Sequence, residues 1–356
     1  MLPYWLFFIL AAMPAIAAGA NWRLRRDGTR STVPDPLWFL VMGLLTLVIG
    51  WRWDVGGDWF NYFRYLNQSV GLTFEEILRK DDPAYWAANW LANEMGWGIQ
   101  GVNAISGAIF SLGLVIFCRS LPRPWLALAV AMPYMVTVVA MGYTRQSVAL
   151  GLAMIAFVAL SRKRYILFGF WILAGATFHK SAVLLIPLAA LTVTTNRYIV
   201  WPLIGVTGLI GWNVLLADAA DGLVQNYIDS QMQSSGAFIR LAMNAVPAAM
   251  FLWFNKSFTM TQGEYKLWRL FSWISLGMFA AFFVTSFSTA LDRMALYLIP
   301  LQLVVFSHLP DALGKFRGQN QALVAGVVGY YALVLFVWLN FATHSRRWLP
   351  YQIDLF

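Results

Sequence analysis

Charge is scarce in this sequence. Of its 356 residues 12% are charged and 60% are hydrophobic, where soluble domains run at about 25% and about 45–50%. That excludes a disordered chain and a soluble fold carrying a membrane tail. Cysteine is almost absent. The lone Cys118 cannot close an internal disulfide, which excludes a disulfide scaffold and cysteine-based metal sites. The sequence carries no nucleotide-binding glycine loop, internal repeat or low-complexity tract. Its net charge of +9 is not a nucleic-acid signal. The basic residues sit between hydrophobic blocks, where cytoplasmic anchoring of a polytopic protein is the simpler reading.

Long apolar blocks are what the sequence has in abundance. A span needs roughly 20 mostly apolar residues. Spans are expected near Leu2–Ala20, Pro34–Gly50, Ile99–Cys118, Trp125–Gly142, Gln146–Leu160 and Tyr165–Phe178. Further spans are expected near Ser181–Thr194, Ile199–Ala217, Leu241–Phe254, Leu267–Phe287, Met294–Leu309 and Ala322–Phe341. The expected fold class is therefore all-α: a polytopic integral membrane protein of about twelve transmembrane helices, forming one domain over residues 1–356. Basic residues follow rather than precede the first block, so it reads as a span and not a cleaved signal. The tight clusters Arg23–Arg26, Arg162–Arg164 and Lys256–Arg269 then place the N-terminus outside. Two outer-face loops exceed what a connector needs, at residues 51–98 and 218–240, and large loops in compact proteins are usually functional. The first contains Phe74–Lys80, an expected short amphipathic helix.

Ionisable groups at membrane depth are costly and need a partner or a role. Under this orientation four separate groups gather on the outer face. The first is Trp51–Tyr62, reading WRWDVGGDWFNY, with Arg52, Asp54, Asp58, Asn61 and Tyr62. It is either an aromatic anchor with a surface turn or a binding element, with Gly56–Gly57 allowing close backbone approach. Arg145 and Gln146 separate two spans. Arg145 either snorkels to headgroups or forks onto phosphate oxygens. His179 in TFHKS is either structural or a proton acceptor, kept neutral by repulsion from Lys180. Asp292–Arg293 is either a local charge pair at a helix start or an aspartate that orients a neighbouring arginine while Arg293 binds an anion. Asp81–Asp82 reads as a pair of solvated loop charges. It could alternatively begin a metal site, but no third ligand is placed by spacing.

These residues resemble the EpsG-like branch of the Wzy-type polysaccharide polymerases. An Arg-x-x-x-Gly-x-Asp-x-x-x-Tyr-like element is matched by Arg52, Gly56 or Gly57, Asp58 and Tyr62. An Arg-Gln pair is matched by Arg145–Gln146, a Phe-His-x-Ser element by Phe178, His179 and Ser181, and a late Asp-Arg-Tyr element by Asp292, Arg293 and Tyr297. The likeness runs from about residue 40 to residue 310; the extra tryptophans of Trp51–Trp59 fall outside its pattern. The resemblance implies transfer of a growing glycan from undecaprenyl diphosphate to the next lipid-linked repeat unit, at the periplasmic face of a bacterial inner membrane. It implies no cofactor and no metal. A chain-length regulator and a flippase are further candidate partners beside the bilayer.

Such chemistry needs cations where the leaving diphosphate gathers charge and a base for the acceptor hydroxyl. Arg52, Arg145 and Arg293 are the candidate cations; His179 is the first candidate base and Asp58 the second. Asp54, Asn61, Tyr62, Gln146, Asp292 and Tyr297 are candidates to bind substrate or hold the arginines. No nucleophile pair is evident, so inversion is expected. A flippase of lipid-linked oligosaccharide, a ligase or single-addition glycosyltransferase, and an acyltransferase using His179 stay open as alternatives.

Overall fold

The computed structural model describes residues 1–18, 35–193, 236–284, 288–314 and 320–353, with isolated positions 198, 202 and 209. Most of the expected span 199–217 and of the expected loop 218–240 lies outside the described residues. So do Arg23, Arg25, Arg26, Arg30, Arg197, Lys315 and Arg317.

The chain is a bundle of apolar helices, as the membrane class requires. Helices α1 (Leu2–Ala17) and α2 (Pro36–Gly50) lead into a cap. The bundle resumes with α6 (Gly98–Ser120), α7 (Pro124–Ala131), α8 (Thr144–Ser161) and α9 (Tyr165–Ala176). A π-helix, Met132–Ala140, extends α7. A 3₁₀ turn, Lys180–Leu185, leads into α10 (Ile186–Val193). Beyond it run α11 (Ala237–Trp253), α12 (Gln262–Phe282), α13 (Ser288–Ala295), α14 (Pro300–Leu313) and α15 (Gln321–Phe341).

By length and composition four helical stretches can cross a membrane: Gly98–Ser120, Thr144–Ser161, Leu291–Leu313 and Gln321–Phe341. The other apolar helices are shorter. A helix of α1's length rises about 24 Å, against a hydrocarbon core of about 30 Å. The expected twelve full-length spans are thus not all present as long helices among the described residues.

Tight crossings hold the centre. Lipid gives helices no hydrophobic reason to associate, so close packing through small residues does the work. Helix α6 lies against both α2 and α8. A Cβ on Gly113 would fall 2.0 Å from the Gly151 carbonyl oxygen, and one on Gly151 would fall 2.7 Å from Phe110 Cα. Only glycine lets these backbones meet.

The 51–98 loop is far more structured than the expected single helix. That helix exists as α4 (Phe74–Leu78), closed by a Thr73–Glu76 capping box. It is joined by α3 (Trp59–Gln68) and α5 (Pro83–Glu94). Trp59, Tyr62 and Leu66 of α3 pack with Tyr85 and Ala92 of α5 and Ile99 and Val102 of α6. Spacing of three and four residues along α3 carries this apolar stripe.

The tail after α15 closes onto the same end. Strand β2 (Gln352–Ile353) pairs antiparallel with β1 (Arg52–Trp53). The Trp348 indole donates to the Thr137 carbonyl at 2.7 Å, and the Tyr4 hydroxyl donates to the Trp348 carbonyl at 2.6 Å. Gly56, with φ +117°, donates its N–H to Arg347 O and would drive a Cβ to 2.5 Å from Met141 O. The opposite end of α7 is fastened by buried Arg123, which forks onto Asp311 at 2.9 and 2.8 Å.

Replacing Gly113 with leucine should force α6 from α8 and cost at least about 1–3 kcal/mol, as overpacking does. A lowered melting temperature and reduced monodisperse yield in detergent are the expected result.

Candidate functional site

The start of α8 is where the site is built. Thr144 donates its backbone N–H to the Tyr62 hydroxyl at 2.8 Å. Its own hydroxyl accepts from Arg52 Nη2 at 2.8 Å, and the same nitrogen donates to Asn103 Oδ1 at 3.0 Å. Arg52 also donates to the carbonyls of Val55 and Ile49. It is fully buried, and burial lowers its pKa to about 10, which still leaves it charged at neutral pH. Arg52, expected as a candidate substrate cation, braces α2, the turn after β1, α6 and α8 and does not line the cavity below.

Arg145 follows Thr144 directly. Its Nη1 meets Asp82 Oδ2 at 2.9 Å, and its guanidinium sits 4.7 Å from the centre of the Tyr65 ring. The other Asp82 oxygen accepts the Lys180 backbone N–H at 2.9 Å. Asp82 therefore joins the cap, α8 and the His179 segment. It is buried and holds φ +55°, a conformation that aspartate tolerates better than most residues. The reading of Asp82 as a solvated loop charge is corrected accordingly. Burial raises the Asp82 pKa, outweighing the opposing pull of Arg145 and Lys180. The placement just before Pro83, a helix-start signal, was the available clue.

A cavity of about 440 Å³ opens beside this pair. Five expected residues line it: Asp58, Asn61, Tyr62, Arg145 and Arg293. Arg64, Tyr65 and Gln68 of α3 complete the lining and were missed, although they recur with Asp58 and Asn61 at helical spacing. Asn61 Nδ2 lies 3.5 Å from Asp58 Oδ1. Burial first, then the Asp58 charge, raises the Tyr62 pKa, so its hydroxyl stays protonated.

The remaining expected residues lie behind the cavity wall or away from it. Gln146 donates from Nε2 to the Arg293 carbonyl at 2.7 Å, fixing the backbone that carries Arg293. Asp292 pairs across the fold. Its two oxygens accept from Nε and Nη2 of Arg240 on α11, at the end of the expected loop 218–240. The Tyr297 and Ser181 hydroxyls are 3.0 Å apart, and Ser181 Oγ lies 2.9 Å from His179 Nδ1. His179 Nδ1 also accepts the Ser181 backbone N–H at 3.3 Å. A neutral imidazole accepting at Nδ1 carries its proton on Nε2, and His179 is not among the residues that line the cavity. Asp54 is exposed in the turn after Arg52, at φ +48°, and does not line the cavity. Among the described residues no group of three His, Cys, Asp or Glu gathers to hold a metal.

Exchanging Asp82 for asparagine removes the carboxylate that orients Arg145. Misplacement on the ångström scale costs catalysis about 100-fold, and a loss of that order is expected. Stability should respond in the opposite sense. Because the folded-state pKa of Asp82 is raised, the wild type loses stability relative to Asp82→Asn as pH climbs from the ordinary carboxylate value through the raised one. Thermal melts of both proteins in detergent across acid to neutral pH check the sign.

Comparison with known proteins agrees with the motif likeness. The EpsG family model matches residues 36–353, which takes in the cap, every cavity residue and the tail strand. No curated protein and no solved structure matches. With nearly its whole length matched, the chain belongs to the EpsG family, of polysaccharide-polymerase-like membrane proteins.

Proposed function

We propose that the cavity is the transfer site of a polysaccharide polymerase. In this reading it moves a growing glycan from undecaprenyl diphosphate onto the next lipid-linked repeat unit, at the periplasmic face of an inner membrane. One observation carries the reading: Asp58, Arg145 and Arg293, from three distant segments, line one polar cavity. The periplasmic assignment follows from the basic clusters Arg162–Arg164 and Lys256–Arg269, which lie at the other ends of the helices bearing Arg145 and preceding Arg293.

The chemistry divides between two cations and one carboxylate. An acceptor hydroxyl attacks the anomeric carbon, and the bond from that carbon to the diphosphate oxygen breaks with its electron pair going to oxygen. The leaving diphosphate gains charge as it departs. Arg145 and Arg293 stand where preorganised cations lower that cost. Arg145 is held ready by Asp82 and Tyr65, so little reorganisation is needed during reaction. The acceptor's proton passes to Asp58, which lines the cavity and carries the adjoining Asn61 amide. Single displacement by this route inverts the anomeric centre. Arginine charge is permanent, so the leaving group is stabilised without a proton or a metal in this scheme.

Purified protein incubated with a synthetic polyprenyl-diphosphate repeat unit should yield a ladder of chain lengths. Arg145→Ala and Arg293→Ala should each abolish the ladder while leaving folded protein in the membrane; normal ladders from either variant would refute the cation roles. Liposome transport of the intact lipid-linked unit without polymer would instead identify a flippase.

The base is tested by a pair of variants. Asp58→Asn should lower kcat by about 10²–10⁴, the usual worth of general base catalysis, with donor KM little changed. His179→Ala should cost less than about tenfold if its imidazole only holds Ser181 and the turn.

A further inference from the structure

The cavity wall extends beyond the atoms that the transfer step uses. Helix α3 buries Trp59, Tyr62 and Leu66 and gives Asn61, Arg64 and Gln68 to the cavity, all three exposed. Their spacing of three and four residues sets them in one stripe along the helix. At the helical rise Arg64 lies about 9 Å along the axis from Asp58, with Gln68 farther on. Arg64 makes no ion pair with Asp58, which sets it apart from the proton transfer there.

Arg64 also differs electrostatically from Arg145. Arg145 is committed to Asp82 and stacks on Tyr65. Arg64 makes no ion pair, hydrogen bond or ring contact among the described residues. A cation left without a counter-charge in a cavity wall favours an anionic ligand. The side chains on either side of it are neutral amides, suited to hydroxyl groups. One guanidinium between two amides matches a ring bearing one carboxylate among its hydroxyls, since guanidinium forks onto carboxylate through two parallel hydrogen bonds.

We propose that Asn61, Arg64 and Gln68 form an acceptor-glycan subsite that takes a hexuronic acid, with Arg64 on the carboxylate and the amides on the hydroxyls. The assignment of this sugar to the acceptor rests on the polymerase reading; the subsite's preference for an acidic sugar is measured without turnover.

The experiment uses full-length protein in detergent micelles and saturation-transfer NMR with glucuronate, galacturonate and mannuronate, each against its neutral hexose, and with inorganic diphosphate. The expected result is at least about tenfold tighter binding of one or more hexuronates than of the parent hexose, as a charge-assisted fork supplies. In Arg64→Gln that preference should vanish, while diphosphate binding and the melting temperature stay at wild-type values. Wild-type protein that fails to discriminate hexuronate from hexose overturns the proposal, as does an Arg64→Gln protein that still discriminates. Diphosphate binding lost in parallel with hexuronate binding also overturns it, by assigning Arg64 to the lipid diphosphate. An inactive wild type in the ladder assay would count against the polymerase reading alone, because this binding test needs no polymer.

Discussion

Everything at the cavity depends on how the first residues of α8 are anchored. A buried guanidinium near the membrane boundary is costly unless acceptors or a counter-charge meet it. Thr144 is held from two sides by Tyr62 and Arg52, and Arg145 is then delivered against Asp82 and Tyr65. Two arginines of similar sequence context therefore do different work. Arg52 is buried and spends its donors on neutral acceptors of the scaffold, whereas Arg145 keeps an edge toward the cavity.

Arg293 is fixed by a second arrangement. Gln146, one residue past Arg145, holds the Arg293 carbonyl, so a single helix start positions both cations. Behind it, Asn244 donates to the Ala295 carbonyl at 2.9 Å and accepts from Gln302, which in turn accepts from the Tyr331 hydroxyl, both at 2.8 Å. This buried chain crosses α11, α14 and α15 with its principal polar atoms paired. Satisfied networks of this kind specify one packing over others. The Asp292–Arg240 pair adds a charged tie between α11 and α13.

The cap and the tail complete the enclosure. Amphipathic α3 presents an aromatic face to α5 and α6 and a polar face to the cavity. The tail holds the β1 turn through the β1–β2 pair and the bond from Gly56 N–H to the Arg347 carbonyl, while Trp348 ties it to the π-helix at Thr137. Deeper in the bundle, the contact of Gly113 with Gly151 sets how near α6 and α8 can come, and hence where Thr144 and Arg145 meet the cap.

The sequence by itself determined the helical membrane class and the positions of the long apolar helices. Apolar blocks and charged breaks are properties of composition and local spacing, so Arg145, Arg293 and Asp58 could be singled out before any contact was known. What only the tertiary structure decided was which charge meets which. Asp82 looked like a solvated loop residue and proved to be the partner of Arg145; Asp292 meets Arg240, far away in the chain; Arg52 is buried. His179, the first candidate base, stands outside the residues that line the cavity and holds Ser181. Ion pairs and hydrogen bonds act over a few ångströms between segments far apart in the chain, and local sequence carries no record of which distant segments folding will bring within that reach.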